Sequence, residues 1–136
     1  MARDSERLLV LYDEECGFCA WCMAWLLRAD RGRRLAPVAI DSERGARLLA
    51  DMPQGERLAS WHVCDDSGLL ASGGAGVAHV LARLPGGAPA AALARRLPRG
   101  SERAYAWVAA HRSCFGRLLP RASKAHAHAL IASRMH

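Results

Sequence analysis

Lysine is almost missing from this chain. Of its 19 basic residues only Lys124 is lysine, and the rest are arginine. With abundant alanine, that bias looks like the codon usage of a GC-rich genome, so the net charge of +6 does not by itself mark a nucleic-acid binder. The arginines are spread from Arg3 to Arg134, and only Arg31-Gly32-Arg33-Arg34 and Arg95-Arg96 form tight groups. A nucleic-acid surface needs clustered cations with interleaved stacking residues, so no nucleic-acid partner is expected. Long apolar runs are also absent. The longest, Phe18 to Leu27, spans ten residues and is broken by cysteines and tryptophans, short of the roughly 18 a membrane span requires. The start, Met1 to Arg7, lacks the apolar stretch of a signal peptide. The expected address is therefore the cytoplasm, where thiols stay reduced. Few charges of any sign (24%) against 51% hydrophobic residues exclude global disorder, and 136 residues fit one domain with a real core.

The apolar run Leu8 to Tyr12 reads as a short buried strand ended by Asp13-Glu14-Glu15. Cys16 to Ala29, rich in Ala, Leu, Met and Trp, reads as a helix stopped by Asp30-Arg31-Gly32. Leu35 to Ile40 is a second strand, near an edge because Pro37 lacks a ladder donor. Asp41 or Ser42 caps a helix from Glu43 to about Asp51. A third strand covers Leu58 to Cys64, with Trp61 and Val63 on one face and Ser60, His62 and Cys64 on the other. After the turn Asp65-Asp66-Ser67-Gly68, Leu69 to Ala71 returns as a fourth strand. Ser72 is a candidate cap for a helix from about Ala75 to Leu84.

The order β-α-β-α-β-β-α makes the first two strands parallel and the last two an antiparallel hairpin. The expected fold is α/β and thioredoxin-like, a mixed four-stranded sheet flanked by helices with a helical C-terminal extension. The domain is placed at residues 1–120, with its core at about 7–85. The extension, about 90–119, holds helices from Ala90 to Leu97 and from Ser101 to Phe115. Residues 121–136, with His126, His128 and His136, are read as a mobile tail.

Five cysteines are an odd count, which argues against a disulfide framework. Three fall within seven residues, as Cys16, Cys19 and Cys22. Cys16-Gly17-Phe18-Cys19 sits where the first strand hands over to the first helix. A thiol there meets unpaired backbone N–H groups and the positive end of the helix dipole, which favour the thiolate. The second cysteine, one turn later, is within reach of a mixed disulfide on the first. The pattern therefore points to dithiol–disulfide exchange, with Cys16 as nucleophile and Cys19 as the more buried resolving thiol. Asp13 is a candidate proton acceptor for Cys19, or else a partner of the helix start. Gly17 and Phe18 would tune the redox poise, and Phe18 also suits a core anchor. Cys22 neighbours Cys19 on the helix surface and reads as a packed small residue, or as a third thiol.

These residues resemble a known family. Leu11-Tyr12-Asp13-Glu14-Glu15-Cys16-Gly17-Phe18-Cys19 is similar to the DCC family of thiol–disulfide oxidoreductases, whose signature is Tyr-Asp-x-x-Cys-x-x-Cys after the first strand. Ser67 to Gly73 resembles the family's turn, short strand and glycine. Ala104 to Arg112 resembles its late Tyr-x-x-Val-x-x-x-Arg segment. The resemblance covers roughly Leu8 to Leu119 and implies a thioredoxin-like fold, thiol–disulfide exchange, no bound cofactor, and protein or small-molecule thiols and disulfides as partners. Arg112 is then a candidate for raising positive potential near the thiols, against the plainer reading of a surface or helix-end residue. Thioredoxins themselves hold a cis-proline opposite the cysteine pair. No proline lies between Pro53 and Pro85 here, and the facing residues are expected near Leu58-Ala59-Ser60.

The rival class is a metal-binding protein, zinc or iron–sulfur, or a non-catalytic interaction protein built on the Cys16/Cys19/Cys22 cluster. Cys-x-x-Cys-x-x-Cys is similar to part of a ferredoxin run. It needs a fourth ligand, which only fold proximity of Cys64, Cys114 or His62 would supply, and the segment's strong helix preference opposes wrapping a cluster. No metal site is expected.

Overall fold

The structure, a computed structural model, describes residues 7–134. Met1 to Glu6, Met135 and His136 lie outside the described residues. Strand β1 (Leu8–Tyr12) leads into helix α1 (Gly17–Ala29), strand β2 (Leu35–Ala39) and helices α2 (Glu43–Leu48) and α3 (Gln54–Arg57). Strands β3 (His62–Asp65) and β4 (Gly68–Ser72) follow, then α4 (Gly74–Arg83), α5 (Ala88–Arg96), α6 (Pro98–Ala110), α7 (Arg112–Leu118) and α8 (Arg121–Arg134).

The sheet order is β2-β1-β3-β4. β1 runs parallel to β2 and antiparallel to β3, and β3 antiparallel to β4. This is the mixed, open, thioredoxin-like sheet expected from the element order, with Pro37 in edge strand β2. Alternate residues of β1 serve two cores. Leu8, Val10 and Tyr12 pack with Ala20, Met23 and Leu27 of α1, Val63, Val80 and Ile131. Leu9 and Leu11 pack on the other face with Val38, Leu49 and Cys64. Every residue of β1 is buried, which is why it reads as one continuous apolar run rather than an alternating one.

Several boundaries differ from expectation. β3 begins at His62 rather than Leu58, because α3 and the turn after it occupy Gln54 to Ser60. Ser42 caps α2, accepting the Gly45 N–H at 3.0 Å. Ser72 does not cap α4: its Oγ lies 2.7 Å from Nδ1 of His62. The cap comes from another helix instead, since Glu102 Oε2 of α6 accepts the Gly74 N–H at 2.9 Å. A Cβ on Gly74 would lie 2.5–2.7 Å from the backbone of Ser101 and Glu102, so glycine is what lets α6 approach α4 this closely. The expected helix from Ser101 to Phe115 is two helices, α6 and α7, meeting at His111.

Residues 121–134 of the segment read as a mobile tail form the helix α8. Ala127 and Ile131 are buried against α1 and the sheet. Its end is pinned by a buried ion pair: Arg134 Nη2 lies 2.8 Å from Asp30 Oδ2, and Arg134 Nη1 donates to the Leu27 carbonyl at 3.1 Å. Asp30 also accepts the N–H groups of Arg34 and Leu35, both at 2.9 Å. The missed signal was the spacing of Ala127 and Ile131, a buried row backed by Leu130 in a sequence of small alanines and polar residues.

Candidate active site

The site forms where β1 ends. The Cys16 N–H donates to the Asp13 carbonyl at 3.2 Å and the Glu15 N–H to Asp13 Oδ1 at 3.1 Å, closing a tight turn. That turn delivers Cys16 to the N-cap of α1 in an extended conformation. Its sulfur takes the place of a capping oxygen, accepting the Cys19 N–H at 3.3 Å. The hydrogen bond from the Cys19 thiol, the Cys19 N–H and the charge of Arg112 together lower the Cys16 thiol to about 6, against its burial. Cys19 moves the other way. Its proton is shared with Cys16, and it is buried beside that developing charge, so it stays a thiol. The pair is thus polarised, with Cys16 the acidic thiol and Cys19 the one that keeps its proton.

Arg112, 93 residues further on at the start of α7, completes the arrangement. Its Nη1 lies 3.9 Å from Cys19 Sγ and 3.8 Å from Asp13 Oδ2, and its Nη2 donates to the Leu58 carbonyl at 3.2 Å. Arg112 thereby ties the Leu58 carbonyl to the dithiol. Asp13 is not the helix cap; it shapes the turn with one oxygen and faces Arg112 with the other.

Phe18 anchors the helix start, its ring 5.1 Å from Phe115 of α7 and 6.0 Å from Trp21. Gly17 lies beneath the side chain of Lys124 from α8, where a Cβ would come within 3.0 Å of it. Cys22 is partly buried, and burial together with Cys16 raises its thiol to about 11, so it remains neutral. A half-enclosed cavity of about 340 Å³, largely apolar, opens beside Cys19 and Cys22. A second groove of about 310 Å³, lined by Asp13, Glu15, Cys16, Arg112 and Ser113, borders Cys16 on the other side of Phe18.

Other candidates stand apart. Cys64 is buried in the second core, across the sheet from the α1 thiols, and Cys114 is exposed. His62 is a satisfied core histidine. Its Nε2–H donates to the Arg57 carbonyl, which leaves Nδ1 to accept from Ser72, and burial lowers its pKa. Among the described residues no group of three or more His, Cys, Asp or Glu is placed to hold a metal ion. No described helix is long and apolar enough to cross a membrane. Two residues missed from sequence shape the site. Tyr105 accepts the Trp61 N–H at 2.8 Å and stacks on Trp61 at 5.9 Å, and burial pushes its phenol to about 12. Tyr105 stood in the late family-like segment, whereas Trp61 carried no signal beyond its strand face.

A thioredoxin-like sheet that delivers a Cys-x-x-Cys pair to the first turn of its first helix defines a dithiol protein of the thioredoxin-like class. The family model for DCC1-like thiol-disulfide oxidoreductases matches residues 10–118, and the chain belongs to that family. Neither the curated proteins nor the solved structures include a match.

Proposed function

We propose that this protein is an enzyme of thiol–disulfide exchange that works through the Cys16–Cys19 dithiol. The carrying observation is the Cys16 sulfur seated as the N-cap of α1, where it accepts the Cys19 N–H, a placement that lowers its thiol pKa to about 6. The Cys16 thiolate attacks one sulfur of a substrate disulfide. A mixed disulfide forms on Cys16, and the other half of the substrate leaves as a thiolate. The Cys19 thiol then loses its proton and attacks Cys16 Sγ. The Cys16–Cys19 disulfide forms, and the second half of the substrate departs. The reduced substrate has gained the two electrons that the dithiol lost.

Arg112 supports both steps by stabilising anionic sulfur, first on Cys16 and then on Cys19. Asp13, which lines the same cavity as Cys19, receives the Cys19 proton through water and passes it to solvent. Gly17 and Phe18 keep the helix start fixed under Lys124 and against Phe115. Cys22 serves as a neutral wall. Partners are protein or low-molecular-weight thiols and disulfides.

The test is to trap the intermediate with bis(2-hydroxyethyl) disulfide. Cys19→Ser should accumulate a mixed disulfide on Cys16, seen by intact mass and peptide mapping. Cys16→Ser should accumulate none. An adduct on Cys19 or Cys22 in the wild-type order of events would reverse the assignment of roles.

A further inference from the structure

The cavity beside Cys19 is not needed for the electron transfer just described, yet it is the largest apolar feature of the site. Its walls are Trp25 and Leu26 of α1, Trp61, Val77 of α4, and Tyr105 and Val108 of α6. Its volume, about 340 Å³, lies in the range of small-molecule sites. Cys19 and Cys22 contribute thiols to the wall, and Asp13, Phe18 and Arg112 stand between it and the polar groove at Cys16. The charges at this boundary, Asp13 and Arg112, face each other, so an entering group meets little net charge.

The backbone opposite the dithiol speaks to the kind of substrate. An extended peptide docks by pairing its main chain with free N–H and C=O groups. Here the Leu58 carbonyl is taken by Arg112, the Ala59 N–H by the Glu56 carbonyl, and the Trp61 N–H by the Tyr105 hydroxyl. The Trp61 carbonyl accepts from the Gly73 N–H and the Ser60 hydroxyl. Ser60 alone keeps both its N–H and its carbonyl without a partner among the described residues, with the Ala59 carbonyl beside it, so this segment offers a peptide one residue of main chain rather than a strand edge.

We propose that the cavity is a substrate subsite, and that it takes a neutral apolar ring carried on one sulfur of a low-molecular-weight disulfide. This rests on the exchange reaction proposed above. Cys16 attacks the ring-bearing sulfur, and the polar arm leaves as a thiolate into the groove beside Cys16. The ring stays against Trp61 and Tyr105 while Cys19 attacks Cys16 Sγ and expels the ring-bearing thiolate. Atoms and electrons balance as in the general scheme, with the protein dithiol as the reductant.

The experiment compares benzyl 2-hydroxyethyl disulfide with bis(2-hydroxyethyl) disulfide, whose leaving thiols are of similar acidity. The reduced protein should consume the benzyl compound with a kcat/KM about tenfold or more higher, as expected for burying one aromatic ring. Val77→Phe and Val108→Phe, each filling the cavity from a different helix, should bring the ratio of the two rates toward one, with helix content checked by circular dichroism. Equal rates in the wild type, or a ratio unchanged in both folded variants, would overturn the subsite. A cystine peptide with phenylalanine beside cysteine reacting as fast as the benzyl compound would overturn the small-molecule assignment. The subsite also has a readout that needs no exchange. Benzyl 2-hydroxyethyl sulfide, a thioether that cannot react, should quench tryptophan fluorescence saturably in the wild type and not in the filled variants. Failure of both disulfides to react, with saturable thioether binding intact, would count against the exchange reaction and not against the cavity. No saturable binding would overturn the cavity.

Discussion

Cys16 is an ordinary thiol made acidic by three neighbours: the Cys19 thiol, the Cys19 N–H and the Arg112 guanidinium. A lowered pKa means that the thiolate predominates above about pH 6 and is lost as the pH falls through it. Alkylation of Cys16 by iodoacetamide should therefore rise with a midpoint near pH 6, while Cys22, raised to about 11, stays slow at neutral pH. Arg112→Gln removes the nearby cation and should move the Cys16 midpoint upward by about one unit. A midpoint that does not move would remove Arg112 from the mechanism. Asp13→Asn should slow resolution of the mixed disulfide more than its formation, read by following both species after rapid mixing. Equal slowing of both would make Asp13 a turn former only. At this scale the sequence was most informative. The strand end, the cysteine pair and the polarity of the helix start are all local, and local chemistry is written in consecutive residues. Arg112 was visible only through its resemblance to a family segment, because its contact with Cys19 spans 93 residues.

At the scale of elements, the site depends on α6, α7 and α8, the part of the chain least legible beforehand. The division of α6 from α7 at His111 is what turns Arg112 back toward α1, and no proline or glycine announces it. Gly74 and Glu102 fix α6 to α4 through a cap and a close approach that exist only in three dimensions. The helix α8 was mistaken for a tail because its buried face is narrow and its histidines are polar. Its ion pair with Asp30 gives a direct test. Asp30→Ala strands Arg134, the buried Leu35 N–H and the part-buried Arg34 N–H, and should cost about 3–5 kcal/mol in urea unfolding. Arg134→Ala, which leaves Asp30 its two N–H donors, should cost less. A loss for Asp30→Ala below about 1 kcal/mol, the scale of a surface pair, would mean that α8 is not clamped this way.

For the whole molecule, the family membership and the polarised pair lead to a redox expectation. A stabilised Cys16 thiolate favours the reduced form, which makes the disulfide more oxidising. In glutathione buffers the potential should lie above the thioredoxin value of about −270 mV. A value below that would contradict the thiolate stabilisation described for Cys16. The mixed four-stranded sheet followed from the alternation of turns and apolar runs, whereas the strand order and the two cores came only with the structure. The cavity did not, since its walls come from α1, α4, α6 and the segment before β3, and no window of sequence brings them together.

The central claim is that Cys16 and Cys19 form the working redox pair, and peptide mapping of the oxidised protein tests it most directly. Mild oxidation should remove two hydrogen atoms from the intact mass, place the disulfide between Cys16 and Cys19, and be reversed by reductant with Cys22, Cys64 and Cys114 free throughout. A disulfide mapped to Cys19 and Cys22, or a metal ion retained with all five thiols reduced, would contradict it.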